Sequence, residues 1–288
     1  MNTDKPLISV IIPVYNCENT ISVAIDSIIN QTYPNIEIIV VNDKSTDGTE
    51  SVVRQMAEKD PRIKLVDGQD DLYRFDTKLG RNVNAGYSAR NTGFQHAKGA
   101  YITFQDADDA SFLNRLEVQY ELLLKYRSTH LTLNWIQFDE KYLGKKLDTS
   151  SFLRSHELGR DIIWPKELYD MSQRSKGFLA KISCALNKKI PFHIKRKRVV
   201  NKLFFGSLEN YPGASNSPLF AREVIKKVKF RNLRDRIWPS FMGRGADKDF
   251  NFQVAETFKN SHVVYVPMYL WRVPTQNPKY ATTRLTYN

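Results

Sequence analysis

The segment Ile102 to Asp109, read ITFQDADD, sets three carboxylates, Asp106, Asp108 and Asp109, directly after a short apolar run. Carboxylates this close repel and raise one another's pKa unless a cation lies among them. Hard oxygen ligands suit Mg2+ or Mn2+, which take one or two protein carboxylates and complete their shells with phosphate oxygens. A divalent ion bridging a diphosphate would offset the charge that builds on that leaving group as its bond breaks. Taken alone, the cluster reads equally well as a solvated turn, because D-x-D is a short pattern that arises by chance. A second carboxylate pair, Asp247 and Asp249, stands in GADKDFNFQVAE. Read by themselves, these carboxylates are helix-start charges favoured by the helix dipole. Cys17 and Cys184 have no metal-ligand spacing and read as idle or buried thiols.

The elements that must position these groups are legible in the first 110 residues. Leu7 to Val14 and Ile36 to Val41 are mostly apolar and β-branched runs, as strands buried on both faces are. Arg62 to Val66 and Tyr101 to Gln105 add two more strands. Between them, Ile21, Ala24, Ile25, Ile28 and Ile29 recur at three and four, which marks a helix from Thr20 to about Gln31. Ser45 to Gly48 supplies helix-start chemistry for a helix reaching Lys59, with Asp47 as its cap, and a third helix spans about Ser88 to His96. Asp67 to Gly86, dense in Gly, Asp and Asn, reads as a surface loop. Strands alternating with helices predict an open, mostly parallel, Rossmann-like α/β sheet flanked by helices, with ligands outside the carboxyl ends of the strands. Polar residues stand at those ends: Asn42 and Asp43 after the second strand, and the acidic cluster after the fourth.

Beyond Leu113 the pattern loosens. Leu113 to Leu123 fits a helix, Leu131 to Phe138 a strand, Asp148 to Leu208 helices with polar breaks, and Val263 to Val273 a late strand pair. The charge also changes there. Residues 1–110 hold eleven basic against sixteen acidic side chains, whereas residues 111–288 hold 32 against fifteen, within a net charge of +12. A basic half implies a polyanionic partner: a membrane surface, an anionic glycan or a nucleic acid. Nucleic acid is disfavoured, since no recognition motif is visible and the acidic cluster would go unexplained. Lys188 to Lys202 mixes seven basic residues with Ile190, Phe192, Ile194, Val199 and Val200, as a segment docking on anionic lipid would, or as a solvated basic face would. No apolar run approaches the ~20 residues of a membrane span, and no secretory signal is visible, so the expectation is a cytoplasmic protein, peripheral on the inner membrane face if that segment meets lipid.

Four features in order, the P-x-Y-N turn at Pro13, the N-D-x-S-x-D-G turn at Asn42, the A-R-N helix at Ala89 and the D-x-D-D cluster at Asp106, resemble the inverting family-2 glycosyltransferases of GT-A fold. The resemblance covers about the first 110 residues, with a gap in register between Gly68 and Asn84. It implies a sugar transfer from a nucleotide-diphosphate donor, UDP-linked, to a hydroxyl of a glycan or glycolipid in cell-surface polysaccharide synthesis such as lipopolysaccharide or capsule. The other reading is a catalytically silent nucleotide- or glycan-binding module of the same fold. The resemblance places Asp43 on the nucleotide base with Pro13 and Tyr15 beside it, Arg90 near the diphosphate, Asp106 facing the ribose and donor sugar, and Asp108 on the Mn2+ or Mg2+ ion. Asp109 either supports that ligand or contacts the donor sugar. The catalytic base falls on Asp247, with Asp249 as the alternative. The chain departs from the family pattern twice: Ala246 replaces the usual Glu, and Trp271, Arg272, Val273 and Pro274 stand where many relatives have Y-R-x-H, whose His ligates the metal. Residues 1–110 are then a nucleotide-sugar-binding half and 111–288 a basic, partly helical acceptor-binding half of one GT-A domain.

Overall fold

The computed structural model describes residues 5–70, 86–157, 161–176, 210–232, 235–238 and 245–273, with single residues and pairs between them. Strands β1 (Ile8–Val14), β2 (Ile36–Asn42) and β3 (Ile63–Asp67) are joined by α1 (Ile21–Ile29) and α2 (Thr49–Lys59). Their pairing is parallel and in step: Val14 lies opposite Asn42, and Asn42 opposite Asp67. Consequently the residues that follow each strand emerge at one edge of the sheet. Every residue of β2 is buried, as a mostly β-branched strand between two helical layers requires, and its Glu37 is satisfied by the Ser9 hydroxyl and the Lys98 N–H. The segment read as a loop carries a short antiparallel pair, β4 (Phe75–Asp76) and β5 (Arg81–Asn82), that lies off the main sheet.

Helix α3 (Tyr87–His96) leads into β6 (Tyr101–Phe104), which pairs in parallel with β1 and places Phe104 opposite Ile11. Asp106, Asp108 and Asp109 follow at once, before β7 (Ala110–Ser111), α4 (Arg115–Lys125) and β8 (His130–Gln137). Among the described residues the expected helical stretch holds α5 (Ser150–Glu157) and α6 (Pro165–Ser175), but a two-residue strand, β9 (Ile162–Ile163), separates them. Most of Lys188 to Lys202, and Cys184, lie outside the described residues. Strand β10 (Leu219–Ala221) and the short α7 (Val224–Lys227) precede α8 (Ala246–Phe258) and β11 (Ser261–Trp271). The main sheet runs β3-β2-β1-β6-β10-β8-β11-β7, with β9 on β11. Parallel order holds through β6; β10 then enters antiparallel between β6 and β8. The expected late strand pair is one strand of eleven residues. Its register slips on both sides of Pro267, a residue that has no N–H for the ladder, and such interruptions imitate a turn in sequence.

Two cores sandwich the sheet. One packs α1 and α4 against Ile8, Val10, Ile12, Ile38 and Leu131. The other packs α3 and α8 against Ile11, Ile39 and Phe104, and is dominated by Phe94, Phe104, Phe220, Phe230 and Phe250. Phe230 and Phe250 stack at 4.4 Å and 7°. Each such ring stabilises the fold by roughly 1.5–3 kcal/mol of buried apolar surface. This aromatic layer is the floor on which the site rests.

A polar tie crosses the second half: His130 Nε2 and Asn251 Oδ1 lie 2.7 Å apart, joining β8 to α8. Burial, against the Asn251 hydrogen bond, pulls the His130 pKa down to about 4, and burial does the same to His262. A histidine in the unfolded chain protonates at about 6.5, so the unfolded state binds more protons than the native one between those values. Stability is therefore full above pH ~6.5 and falls as pH drops toward 4. Urea midpoints measured across that range should decline, and His130→Gln should flatten the decline.

Candidate active site

At the carboxyl edge of β1, β2 and β6 lies a cleft of about 430 Å3 lined by Pro13, Tyr15, Asp43, Arg90, Asp106, Asp108 and Asp247, together with Val14, Cys17, Gly86, Ala107 and Gly245. Seven residues singled out in the sequence thus meet in one cavity. Asp43 is 4% exposed, and its backbone N–H donates to the Val14 carbonyl at 2.7 Å, which extends the strand pairing by one residue and sets the side chain at the rim. Tyr15 is among the exposed large side chains, with its neighbours on a sharp turn where Asn16 takes a φ of 52°. Asp47 is occupied structurally. It accepts from the Thr49 N–H and hydroxyl at the start of α2 and from the Glu18 N–H.

Arg90 is the pivot of the site. Its guanidinium lies 5.5 Å from the centroids of both Phe104 and Phe230, so the aromatic layer supports it from below. Its Nη2 donates to Asp106 Oδ1 at 2.6 Å and lies 3.5 Å from Asp247 Oδ1. Burial opposes the charge on Arg90, but Asp247 and Asp106 outweigh it and hold the pKa above its ordinary value. Gly86 makes this arrangement possible. It takes a left-handed φ of 69° ahead of α3, and a Cβ there would come within 2.8 Å of Arg90 Nη1. Gly245 likewise takes a left-handed φ, 97°, ahead of α8. Both helices therefore begin at the cleft, where the partial positive charge of a helix N-terminus favours a bound anion.

The acidic cluster is differentiated by what holds each member. One oxygen from each of Asp106, Asp108 and Asp109 lies within 4.8 Å of the others, the spacing of a possible metal site. Asp106 accepts from Arg90 through Oδ1 and from Asn216 Nδ2 at 2.7 Å through Oδ2. Asp109 is 2% exposed and accepts the Arg272 N–H at 2.7 Å. Burial, then Asp108 and Asp106, push the Asp109 pKa well above the usual carboxylate range. Asp109 is not among the residues that line the cleft. Asp108 is the exposed member and faces the cleft. Three converging carboxylates with two of them braced by neighbours are an oxygen donor set that fits Mg2+ or Mn2+.

The two candidate bases part company. Asp247, in the first turn of α8, lines the cleft, and its Oδ1 is buried without a hydrogen-bond partner among the described residues. Burial raises its pKa, Arg90 draws it back, and the net direction is upward. Asp249 is 1% exposed and accepts from the backbone N–H groups of Ile237 and Trp238 and from Gln253 Nε2 at 2.8 Å. It ties the preceding segment to α8 and does not line the cleft. Asp249→Ala should therefore act on stability, leaving two buried N–H groups without acceptors at a cost of roughly 2–5 kcal/mol, seen as a lowered thermal midpoint.

Asn216 and Tyr269 were not visible as site residues in the sequence. The Tyr269 hydroxyl lies 3.1 Å from the Asp106 N–H it accepts, and also bonds Asp109. Arg272 Nε donates to the Asp108 carbonyl at 2.8 Å, and the guanidinium lies 3.8 Å from the Phe138 centroid. Arg272 thus clamps the acidic turn from the late strand. Trp271 meets Trp135 edge to face at 4.8 Å beside it.

The model of the family described as glycosyl transferase family 2 matches residues 9–192. The chain belongs to glycosyl transferase family 2. It is 40% identical over 134 residues to the glycosyltransferase GlyA of Streptococcus pneumoniae, covering 46% of this chain and 17% of that protein. Over 122 residues it is 38% identical to WfgD of Escherichia coli, a UDP-Glc:alpha-D-GlcNAc-diphosphoundecaprenol beta-1,3-glucosyltransferase, covering 42% and 43% of the two chains. An uncharacterized glycosyltransferase of Rickettsia typhi is 35% identical over 184 residues, with 58% and 53% covered. The matches thus span about half or less of these curated relatives. Among solved structures, residues 1–349 of S. aureus TarS in complex with UDP-GlcNAc superpose with a TM-score of 0.54 at 16% identity, over 94% of this chain and 59% of that one. A mannosyltransferase of Pyrobaculum calidifontis in complex with GDP-Man and Mn2+ gives 0.53 at 20%, over 96% and 59%. This family-2 chain has the GT-A fold, an α/β sheet flanked by helices.

Proposed function

We propose that the chain is an inverting, metal-dependent glycosyltransferase that moves a sugar from a UDP-linked donor to a hydroxyl of a glycan or glycolipid in bacterial cell-surface polysaccharide synthesis. The observation that carries this reading is the meeting, in one cleft, of Asp108, Arg90 and Asp247. Asp108, with Asp106 and Asp109 converging beside it, would hold Mg2+ or Mn2+, whose chemistry there would be to neutralise a diphosphate leaving group. Asp43, Pro13 and Tyr15 line the part of the cleft suited to the nucleotide, and Arg90 adds charge-assisted bonds for phosphate. Asp247 takes the proton of the attacking hydroxyl. Its buried, upward-shifted carboxylate is a stronger base than a solvated one.

The relatives support the substrate class. WfgD acts with UDP-Glc on a diphosphoundecaprenol-linked GlcNAc, TuaG of Bacillus subtilis is a putative teichuronic acid glycosyltransferase, and the TarS structure holds UDP-GlcNAc. Residues 1–110 supply the donor-facing turns, and residues 111–288 supply Asn216, Asp247 and Arg272, so we assign the halves to donor and acceptor within one domain. Among the described residues no helix is long and apolar enough to cross a membrane; we assign contact with anionic lipid to the basic segment Lys188 to Lys202. A silent binding module is disfavoured by a base candidate facing the metal cluster across the same cleft. Calorimetry with UDP and Mn2+ should show binding that EDTA removes, followed by transfer from UDP-sugars to undecaprenyl-diphosphate-linked sugars; UDP binding undiminished by EDTA would contradict the metal bridge.

A further inference from the structure

A second cleft, of about 600 Å3, lies on the other flank of α3. Arg90 serves the first cleft, whereas Tyr87, Ser88 and Asn91 of the same helix line the second. Phe230 stands between them, carrying Arg90 against its ring while forming part of the second wall. Asn91 fixes that wall by donating to the Phe230 carbonyl at 2.8 Å and accepting its N–H at 3.0 Å.

The opposite wall is basic. Lys226, Lys227, Lys229 and Arg231 line it, against two carboxylates, Asp70 and Asp235. Asp70 is paired with Lys44, which lies outside the cleft, and Asp235 accepts from Asn232 Nδ2 at 3.0 Å. Among the described residues neither Lys226 nor Lys229 makes an ion pair. Arg231 lines the cleft with its partly exposed side chain while its buried Nη1 faces Asp249 Oδ1 at 3.6 Å, so the lysines carry the unmatched charge. Exposed ammonium groups gathered around one cleft, two of them without a carboxylate partner among the described residues, mark where an anion would be held.

We propose that this second cleft binds a phosphate-bearing anion, apart from the nucleotide-sugar cleft and with no metal required. Clustered ammonium groups and a guanidinium suit phosphate oxygens, and Ser88 and Asn232 add polar atoms at the rim. The phosphate is carried either by a free glycan or by a lipid headgroup. The site also gives the basic second half a located purpose. It is independent of the proposed transfer, because its binding is read without donor, acceptor or metal.

The test is calorimetry of the full chain with tripolyphosphate in EDTA. Binding should persist there, resist competition by UDP, and weaken about tenfold in a Lys226→Gln, Lys229→Gln double variant, as the loss of charge-assisted bonds implies. A control double, Lys145→Gln with Lys146→Gln, removes the same charge from exposed positions elsewhere and should leave the affinity unchanged. Equal weakening in both doubles, full competition by UDP, or no change in the first double overturns the proposal. Co-sedimentation with phosphatidylglycerol vesicles assigns the source: loss in the first double alone indicates a lipid headgroup, and retention indicates a phosphate free of the membrane.

Discussion

Asp108→Ala is expected to abolish Mn2+-supported UDP binding and lower kcat/KM by at least ~100-fold, in the range reported for loss of a group that stabilises developing charge. The effect is concentrated on this residue by the way the cluster is built. Asp106 is committed to Arg90 and Asn216, and Asp109 is buried and committed to the Arg272 N–H. Asp108 is the exposed carboxylate that faces the cleft. Without it the remaining two carboxylates sit behind their protein partners, and the diphosphate charge would meet Arg90 and the two helix N-termini without a metal ion. Folding should be unaffected, since an exposed side chain on a turn contributes little to stability. Calorimetry with UDP, with and without Mn2+, reads the first effect, and thermal melting reads the second. Tight Mn2+-dependent binding retained by the variant would move the metal away from this turn.

Asp247→Asn carries the other large effect, a fall of roughly 100- to 10,000-fold in kcat, the usual contribution of a general base. Asn keeps the shape, so UDP binding should persist, which separates this variant from Asp108→Ala. The pH profile adds a second reading. A base acts only when deprotonated, and burial, moderated by Arg90, raises the Asp247 pKa. The acid limb of kcat/KM should therefore lie above the ordinary value of about 3.9 for Asp and rise with pH. Asp247→Asn should erase that limb along with the rate. An unaltered limb in a residually active variant would assign the proton to another group. Asp249 differs in kind: its substitution should lower the melting point, because its oxygens are spent on Ile237, Trp238 and Gln253.

Much of the donor side was legible because each piece is short-range. A β-branched run such as Ile36 to Asn42 becomes a buried strand wherever it pairs, and the residue after it inherits the sheet edge. The acidic turn after β6 and the helix-start position of Asp247 follow from local order in the same way. Less could be read beyond Leu113. β10 enters the sheet antiparallel through three residues, too few for a periodic signal. Pro267 disguised one long strand as two.

Residue order alone therefore determined the parallel half of the sheet, the turns that end its strands and the carboxylates offered there. Only the tertiary structure decided how those carboxylates divide their work. Asn216 reaches Asp106 across 110 positions, and Tyr269 and Arg272 reach Asp106 and Asp109 across 163. No spacing rule spans such distances, since it is the pairing of β10 with β6 and of β11 with β7 that closes them. The same packing buried Asp249 and left Asp247 at the cleft, two positions apart on one helix, because residues i and i+2 lie on different faces of a helix.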